Sequence, residues 1–185
     1  MPAPATTWNA ITTARLRLEP LRSEFAPALF THINDWEVMR WLAAPPWPYR
    51  LQDMHDWMTA ALTSHSSGSE INYAITLAGA PIGALGVTGL RTGPVLGYWL
   101  ARPFWGSGYM SEATDAIVQR LFDAGHGFVA SGVLEGNEAS LRVQAKLGFR
   151  VVNERFIHAR PHGRLMPHLD TVLGRPHWSD LRQAA

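Results

Sequence analysis

Hydrophobic and polar residues follow two periodicities along the chain, and together they predict one mixed α/β domain. Alternation and short apolar runs predict strands at residues 15–21, 72–77, 82–88, 95–101, 128–134, 149–160 and 169–173. Helical spacing predicts helices at residues 23–34, 37–43, 51–64, 111–124 and 137–147. We therefore expect an α/β (α+β) fold. A single mixed, mostly antiparallel sheet of about six to seven strands would carry helices on both faces.

Residues 95–113 contain the most informative motif, in which an apolar strand leads into a glycine-containing turn and then a helix. Gly106 and Gly108 permit backbone conformations that other residues rarely adopt, so the N–H groups of the turn can converge on one anion. We expect a phosphate or pyrophosphate there. A dinucleotide fingerprint is weakly matched, because Ser111 stands where a third Gly or Ala is needed. A P-loop is excluded, since the only lysine, Lys146, lies far away in sequence, and a turn without a ligand is the alternative.

A second motif begins about thirty residues further on, where Asn137 can cap a short helix that Gly148 ends. Its N-x-x-S…K-L-G-F pattern, together with the W-G-x-G-Y-x-x-E-A pattern of the turn, resembles the GNAT superfamily of acyl-CoA-dependent N-acetyltransferases. The opening strand T-A-R-L-R-L-E-P is similar to that of the RimJ/RimL branch. That branch acetylates N-terminal amines of ribosomal proteins and includes relatives with other acceptors. The resemblance covers roughly residues 12–175 and implies the GNAT fold.

The resemblance implies acetyl-CoA as the cofactor and gives roles to both motifs. A backbone N–H at or beside Leu100 would bind the thioester oxygen. Many members protonate the departing sulfur with a Tyr that is Gln144 here, so Ser140 is the candidate donor, with packing or helix capping as its alternative role. Pro103 departs from the usual Gln or Arg and removes one N–H from the turn. The residues implied in cofactor contact are Leu100, Ala101, Arg102, Phe104, Trp105, Gly106, Ser107, Gly108, Tyr109, Met110, Asn137, Ser140 and Lys146.

Candidates for contact with the amine acceptor come from strand ends and from a tryptophan-rich segment. Glu135 follows a strand that faces this region and is the candidate proton acceptor, with a solvated turn residue as the alternative. Glu112 is a second candidate proton acceptor, but a structural role at the start of its helix is favoured over that alternative. Trp57 is expected to pack in the core. The alternative is that no base is needed, because an α-amine with a pKa near 8 is substantially neutral, whereas a lysine with a pKa near 10.4 is not. Since the sequence gives only weak evidence for a base, an α-amino acceptor is slightly favoured. The acceptor-contact candidates are Trp36, Trp47, Tyr98 and His168.

Composition narrows the function classes. The formal charge of +1, from 16 basic and 15 acidic residues, gives no reason to expect nucleic acid or an anionic membrane as a partner. The absence of cysteine excludes disulfides, thiolate metal sites and a cysteine acyl intermediate. No metal site is predicted, although His158, His162 and His168 first suggest one. No signal peptide or apolar stretch of about twenty residues is recognisable, so we expect a cytoplasmic protein.

The length of 185 residues fits a single domain over residues 1–185, with a core at about 12–175 and terminal extensions at 1–11 and 176–185. We expect a monomer or homodimer. The leading hypothesis is an acetyl-CoA-dependent N-acetyltransferase that modifies a primary amine, on a protein N-terminus or a small molecule, by direct attack in a ternary complex. The alternative is a non-catalytic acyl-CoA-binding sensor or scaffold, which Pro103 and Gln144 favour.

Overall fold

A computed structural model describes residues 8–183 of the chain. The strands are β1 (Ile11–Thr12), β2 (Leu16–Pro20), β3 (Ile71–Leu77), β4 (Ala80–Thr88), β5 (Val95–Leu100), β6 (Phe128–Leu134), β7 (Arg150–Ala159) and β8 (Arg164–Gly174). The helices are α1 (Ala26–Ile33), α2 (Trp36–Met39), α3 (Leu51–Ser67), α4 (Tyr109–Asp123), α5 (Glu138–Leu147) and α6 (Arg175–Gln183).

The strands form one 8-stranded sheet in the order β1-β2-β3-β4-β5-β6-β8-β7. Neighbouring strands are antiparallel except β5 and β6, which run parallel. This confirms the predicted mixed, mostly antiparallel sheet. The sheet has one strand more than the upper predicted number because β1 has only two residues, too few to produce an alternating pattern.

Apolar side chains cover both faces of the sheet, and each face packs against its own helices. On one face, Tyr73 of β3 forms a core with Ile117 of α4. On the other, Ala74 of β3 packs with Leu29 of α1 and Met54 of α3. Successive residues of β3 contribute to opposite cores because side chains alternate along a strand. The prediction of helices on both faces is therefore confirmed.

The first predicted helix, residues 23–34, is divided in the structure. A 3-10 turn over Ser23–Phe25 precedes α1, and the cap position of that turn falls on Arg22 rather than on the expected Ser23. Pro27 lies in the first turn of α1. Backbone N–H groups in a first turn have no hydrogen-bond partner within the helix, so a proline there costs no helical hydrogen bond. The change from a 3-10 turn to an α-helix therefore coincides with a residue that favours a helix start.

Two other elements differ in length from the predictions. α2 ends at Met39 rather than at residue 43. The next backbone hydrogen bonds, from Trp41 and Leu42, go to the carbonyl oxygens three residues earlier, which is the pattern of a 3-10 turn and not of an α-helix. β8 begins at Arg164 rather than at Leu169, since it pairs with β7 along its length. Pro167, which suggested a loop, lies opposite Phe156 in this hairpin. The long β7–β8 hairpin places β7 at the sheet edge.

The C-terminal segment that was expected to be an extension forms α6 up to Gln183. Its Trp178 is only 8% exposed, and the Trp178 and Phe122 ring centres are 5.1 Å apart. The segment thus contributes to the core beside α4. Within residues 8–183, no helix is long and apolar enough to cross a membrane.

Candidate active site

The parallel strands β5 and β6 diverge towards the end of β5. Within the described part of the chain, their register consists of one pair, Val95 with Ala130. One side-chain link follows, in which the Ser131 hydroxyl donates to the Leu96 carbonyl oxygen at 2.8 Å. Beyond it, β5 continues beside β4 as far as Leu100. The divergence opens the sheet between β5 and β6.

Leu100 lies at the end of β5, and its backbone faces this opening. The next residue, Ala101, donates to the Ile82 carbonyl oxygen of β4 at 2.8 Å. In an antiparallel pair, bonded positions alternate with positions whose N–H and C=O point away from the partner, so the Leu100 groups point towards β6. The indole N–H of Trp105 donates to the Leu100 carbonyl oxygen at 2.7 Å. The Leu100 N–H is therefore available in the opening, as the predicted thioester donor requires.

The turn after β5 has the conformation expected of an anion site. Gly106 and Gly108 have φ values of 75° and 79°, in the left-handed region that favours glycine. Gly108 is the N-cap of α4 and makes no side-chain cap hydrogen bond. The N–H groups of the first helical turn, at Tyr109 to Ser111, have no intrahelical partners and can bind a ligand. α4 begins two residues earlier than predicted, which brings its positive end to the second glycine.

Glu112 and Arg15 hold this turn against the start of β2. The Glu112 carboxylate accepts from the Thr13 hydroxyl at 2.6 Å, from the Arg15 backbone N–H at 2.8 Å and from the Arg15 Nε at 2.7 Å. Arg15 Nη1 donates to the Ser107 carbonyl oxygen at 2.9 Å, and its guanidinium carbon lies 4.5 Å from the Tyr109 ring centre. Burial raises the pKa of the Glu112 carboxyl, but these hydrogen bonds outweigh burial and hold that pKa below its ordinary value. The contacts fit the structural role predicted for Glu112.

A first cavity of about 350 Å³ extends from the end of β5, along the turn, to α5. Three predicted cofactor residues do not line it: Ala101 is buried in the core, and Arg102 and Ser107 are exposed outside it. The predicted cofactor residues that do line it are Leu100, Phe104, Trp105, Gly106, Gly108, Tyr109, Met110, Asn137, Ser140 and Lys146. The structure thus brings both sequence motifs to one cavity.

Several cavity residues were missed in the sequence. Arg142 lines the first cavity one helical turn before Lys146, and its spacing of four residues from that lysine was a usable signal. The two side chains give this end of the cavity positive charge. The other lining residues outside the predicted set are Val38, Trp41, Leu42, Trp99, Ser111, Ala139 and Val143.

A second cavity of about 160 Å³ occupies the opening between β5 and β6. The segment after α2 covers it with Trp41, Leu42 and Ala43, and His168 of β8 lines it from the far side of β6. The residues that line both cavities are Trp41, Leu42, Tyr98, Asn137 and Ser140. The two cavities therefore meet at the end of β5 and the start of α5.

Two hydroxyl groups lie at this junction. The Tyr98 and Ser140 hydroxyl oxygens are 2.8 Å apart. The Asn137 side-chain oxygen accepts from the Ser140 N–H at 3.2 Å, which confirms Asn137 as the N-cap of α5. Burial raises the pKa of the Tyr98 phenol, and its interactions with the Ser140 and Gln144 side chains only partly oppose this shift. Tyr98 is therefore protonated at neutral pH and can donate.

Gln144, which replaces the tyrosine of many relatives, has a structural position. It is 2% exposed. Its amide nitrogen donates to the Ser131 hydroxyl at 3.0 Å, and its amide oxygen accepts from the Thr171 hydroxyl at 2.6 Å. These bonds connect α5 with β6 and β8, so the side chain supports the sheet rather than facing either cavity.

The structure places three other candidates outside both cavities. Glu135 is exposed in the turn after β6, and its N–H donates to the Pro167 carbonyl oxygen at 2.9 Å. Trp36 and Trp47 are each 36% exposed, with ring centres 5.4 Å apart. The Trp36 ring packs against Trp47 and His162, and Trp41, which was not predicted, lines both cavities instead.

The remaining predictions concern packing and metals. Trp57 is partly buried against the core formed by α1 and α3, as expected. His168 lines the second cavity, but His158 and His162 do not join it there. Among the described residues, no group of three or more His, Asp or Glu side chains is arranged to hold a metal ion.

Comparisons with known proteins agree with this arrangement. The family model described as the acetyltransferase (GNAT) domain matches residues 15–150. RimJ from Mycobacterium smegmatis, in complex with CoA-disulfide, has a TM-score of 0.82 at 18% identity, covering 95% of this chain and 94% of that one. RimL, a ribosomal L7/L12 α-N-protein acetyltransferase in complex with coenzyme A, has a TM-score of 0.80 at 18% identity, covering 90% and 98%.

A third solved structure broadens the comparison. The microcin C7 self-immunity acetyltransferase MccE, in complex with acetyl-CoA and AMP, has a TM-score of 0.77 at 16% identity, covering 87% of this chain and 93% of that one. No curated protein matches the sequence. At these identities the structural likeness establishes a shared fold.

Proposed function

The chain belongs to the GNAT acetyltransferase family, and from that membership we propose that it transfers the acetyl group of acetyl-CoA to a primary amine by direct attack in a ternary complex. The observation that carries this proposal is the opening between β5 and β6. There, the Leu100 N–H faces a space in which two cavities meet beside Tyr98 and Ser140. Each cavity would receive one reactant, acetyl-CoA in the first and the amine in the second.

The first cavity has the chemistry that acetyl-CoA needs. The free N–H groups at the start of α4 suit a pyrophosphate. Arg142 and Lys146 supply positive charge for phosphate, and apolar side chains such as Phe104 and Val143 suit the pantetheine chain. These residues would hold the cofactor, which supplies an activated thioester carbonyl group.

The Leu100 N–H is proposed to bind the acyl oxygen. As the amine attacks, negative charge develops on that oxygen, and a fixed N–H donor stabilises the charge without having to reorient. The Trp105 indole supports this role because its N–H donates to the Leu100 carbonyl oxygen and thereby fixes the end of the strand. Loss of one such donor typically costs about 10²–10³ in turnover.

Ser140 is proposed to donate a hydrogen bond to the departing sulfur. A thiol has a pKa near 8.5, so its thiolate leaves readily and a hydroxyl donor is sufficient. Ser140 lies in the first turn of α5, where the helix end also favours negative charge. Tyr98, 2.8 Å from Ser140 and protonated, can donate to the serine oxygen while the serine proton points at sulfur.

The acceptor is proposed to be an α-amine, on a protein N-terminus or a small molecule. Among the described residues, no carboxylate lines the second cavity to stabilise the ammonium form of a lysine side chain. Removing the proton from a lysine side chain costs about 3 kcal/mol more than removing it from an α-amine. One structural neighbour is itself an α-N-protein acetyltransferase, which supports an α-amine as the acceptor.

The experiment is a CoA-release assay with acetyl-CoA and a panel of short peptides with free N-termini and small primary amines. Because the chain has no cysteine, a thiol reagent detects only the released CoA. We expect release that depends on at least one amine, with an acetylated product visible by mass spectrometry. Calorimetry measures acetyl-CoA binding separately. Binding without amine-dependent release would instead support the non-catalytic sensor or scaffold, and absence of binding would refute both functions.

A further inference from the structure

We propose that His168 is the general base that takes the proton from the acceptor amine, and that Asp170 is a positioning residue that orients its ring. The inference rests on the proposed function and adds a residue role to the same site. Glu135, the proton acceptor expected from the sequence, is exposed and lines neither cavity, whereas His168 lines the proposed amine cavity.

The fold makes room for the His168 ring by having no side chain at residue 132. Gly132 of β6 and His168 of β8 lie on neighbouring strands and line the same cavity. A Cβ atom added to Gly132 would overlap His168 Cε1 and lie 2.6 Å from Nε2. The Nε2 edge of the ring therefore lies directly above a glycine in the wall of the second cavity. Any larger residue at 132 has to displace the ring.

Asp170 lies beside the other edge of the ring. Its Oδ1 is 3.0 Å from His168 Nδ1, so the carboxylate attracts a proton on that nitrogen, but the contact is not aligned as a hydrogen bond and the buried Nδ1 has no hydrogen-bond partner among the described residues. The carboxylate is itself held from β7, because Arg155 Nε donates to its two oxygens at 3.0 and 2.8 Å and Asn153 Nδ2 donates at 3.1 Å. A proton on Nδ1 next to this carboxylate leaves the lone pair on Nε2, at the edge over Gly132.

The surroundings keep the ring neutral. Burial lowers the pKa of His168 below its ordinary value of 6.5; Asp170 opposes this shift and Arg155 adds to it. Across the cavity, Tyr98 of β5 is uncharged because burial raises its pKa. The remaining wall, from β6 and the segment after α2, contributes no titratable side chain to the lining. A neutral imidazole is the form that accepts a proton at neutral pH.

The proposed reaction transfers one proton from the amine nitrogen, by way of His168, to the departing thiolate. The amine nitrogen forms a bond to the thioester carbonyl carbon, and His168 Nε2 takes one proton from that nitrogen. The carbon–sulfur bond breaks and its electron pair leaves on sulfur, which Ser140 stabilises by a hydrogen bond. The proton on His168 then passes through solvent to the thiolate, which regenerates neutral histidine and yields the amide and the free thiol.

The test is the pH dependence of kcat at saturating acetyl-CoA and at a saturating level of the best amine in the panel. We expect the wild-type kcat to fall on the acid side with a midpoint below pH 6.5, because protonated His168 is inactive. His168→Gln should lower kcat about 10²-fold or more and remove this acid limb. His158→Gln, an exposed histidine on β7, is the matched control and should leave kcat and its pH profile unchanged.

Two further variants separate orientation from folding. Asp170→Asn should shift the acid limb to lower pH, because it removes the group that raises the His168 pKa. The same shift should be visible in an NMR titration of the His168 ring in the protein without substrates. Gly132→Ala should lower kcat while the calorimetric affinity for acetyl-CoA stays within about twofold. A merely structural Asp170 would leave both the pH limb and the NMR titration in place.

The outcomes distinguish this inference from the proposed function. If wild-type protein binds acetyl-CoA but no amine induces CoA release, the proposed function fails and the base fails with it. If wild-type protein turns over and folded His168→Gln keeps its acid limb with kcat within about threefold, the role of His168 alone is overturned. Should His168→Gln fail to fold, an unshifted limb in Asp170→Asn overturns the inference instead.

Discussion

Replacing Glu112 by Gln tests how strongly the anion turn depends on its link to β2. The carboxylate accepts three hydrogen bonds, two of them from Arg15, and hydrogen bonds to charged groups contribute about 1.5–3 kcal/mol each. Gln keeps an acceptor oxygen but loses the charge, and the Arg15 side chain is 46% exposed, so solvent screens the pair. We expect a loss of about 1–2 kcal/mol in unfolding free energy, which corresponds to roughly 2–8 °C in Tm.

The effect of Glu112→Gln should depend on pH in a defined direction. The folded-state pKa of Glu112 lies below its ordinary 4.5, so the charge stabilises the fold above that value and the stabilisation is lost as pH falls through the folded pKa. Urea unfolding at about pH 7, 5, 4 and 3.5 should therefore give a wild-type-to-variant difference that narrows below about pH 4.5. Glu138→Gln, exposed at the start of α5, is the control and should change stability by less than about 0.5 kcal/mol.

The same variant should also weaken acetyl-CoA binding, because Arg15 connects Glu112 to the Ser107 carbonyl oxygen within the turn. Calorimetry at neutral pH measures this effect. Equal unfolding free energies at about pH 7, or a difference that stays constant down to about pH 3.5, would refute the reasoning that the charged network holds the turn.

Three further predictions concern the site itself. Gly108→Val should abolish acetyl-CoA binding in calorimetry, because a branched residue resists φ near 79° where a ligand approaches the backbone. The control is Gly125→Val, which also has a positive φ but lines neither cavity and should bind acetyl-CoA normally. Equal affinities for the two variants would contradict the assignment of the turn. Ser140→Ala should lower kcat about ten- to a thousandfold with little change in acetyl-CoA affinity, and turnover within about twofold would leave Ser140 a packing role. Trp41→Ala should raise KM for the amine more than Trp47→Ala, because only Trp41 lines the second cavity, and the opposite order would contradict this.

The elements of the fold that follow local patterns were predictable from the sequence. The β3–β4 hairpin, β5 with its glycine turn, and α5 between Asn137 and Gly148 all have short-range signals in turn, cap and periodicity. The family identification was also confirmed. β1 and the full length of β8 were not predictable, because a two-residue strand has no periodicity and because pairing with β7 extends β8 through Pro167.

The cofactor side of the site was more predictable than the acceptor side for a physical reason. Its residues follow one another in the glycine turn and in α5, so two motifs bring most of them together. The second cavity is assembled from β5, β6, β8 and the segment after α2, which are far apart in sequence. The tryptophan-rich segment suggested Trp36 and Trp47, but the tryptophan that lines the second cavity is Trp41. Its position depends on where the short α2 ends, which the sequence pattern did not give.

The two departures from the family pattern both have structural explanations. Pro103 lies in a 3-10 turn, where its fixed φ is suitable. Phe104 and Trp105 are both implied in cofactor contact, but their N–H groups donate to the Ala101 and Arg102 carbonyl oxygens at 3.0 and 3.2 Å and are not free for pyrophosphate. The anion donors therefore begin at the glycines, beyond the proline.

The second departure, Gln144 in place of the usual tyrosine, also leaves the proposed site intact. Its amide bridges Ser131 and Thr171 in the core, and the hydroxyl nearest the junction of the cavities belongs to Ser140, paired with Tyr98. A tyrosine at 144 would have no place in this buried bridge. Neither departure removes a group that the proposed transfer uses, so neither favours the non-catalytic alternative. Amine-dependent CoA release is therefore the measurement that decides between an enzyme and a binding module.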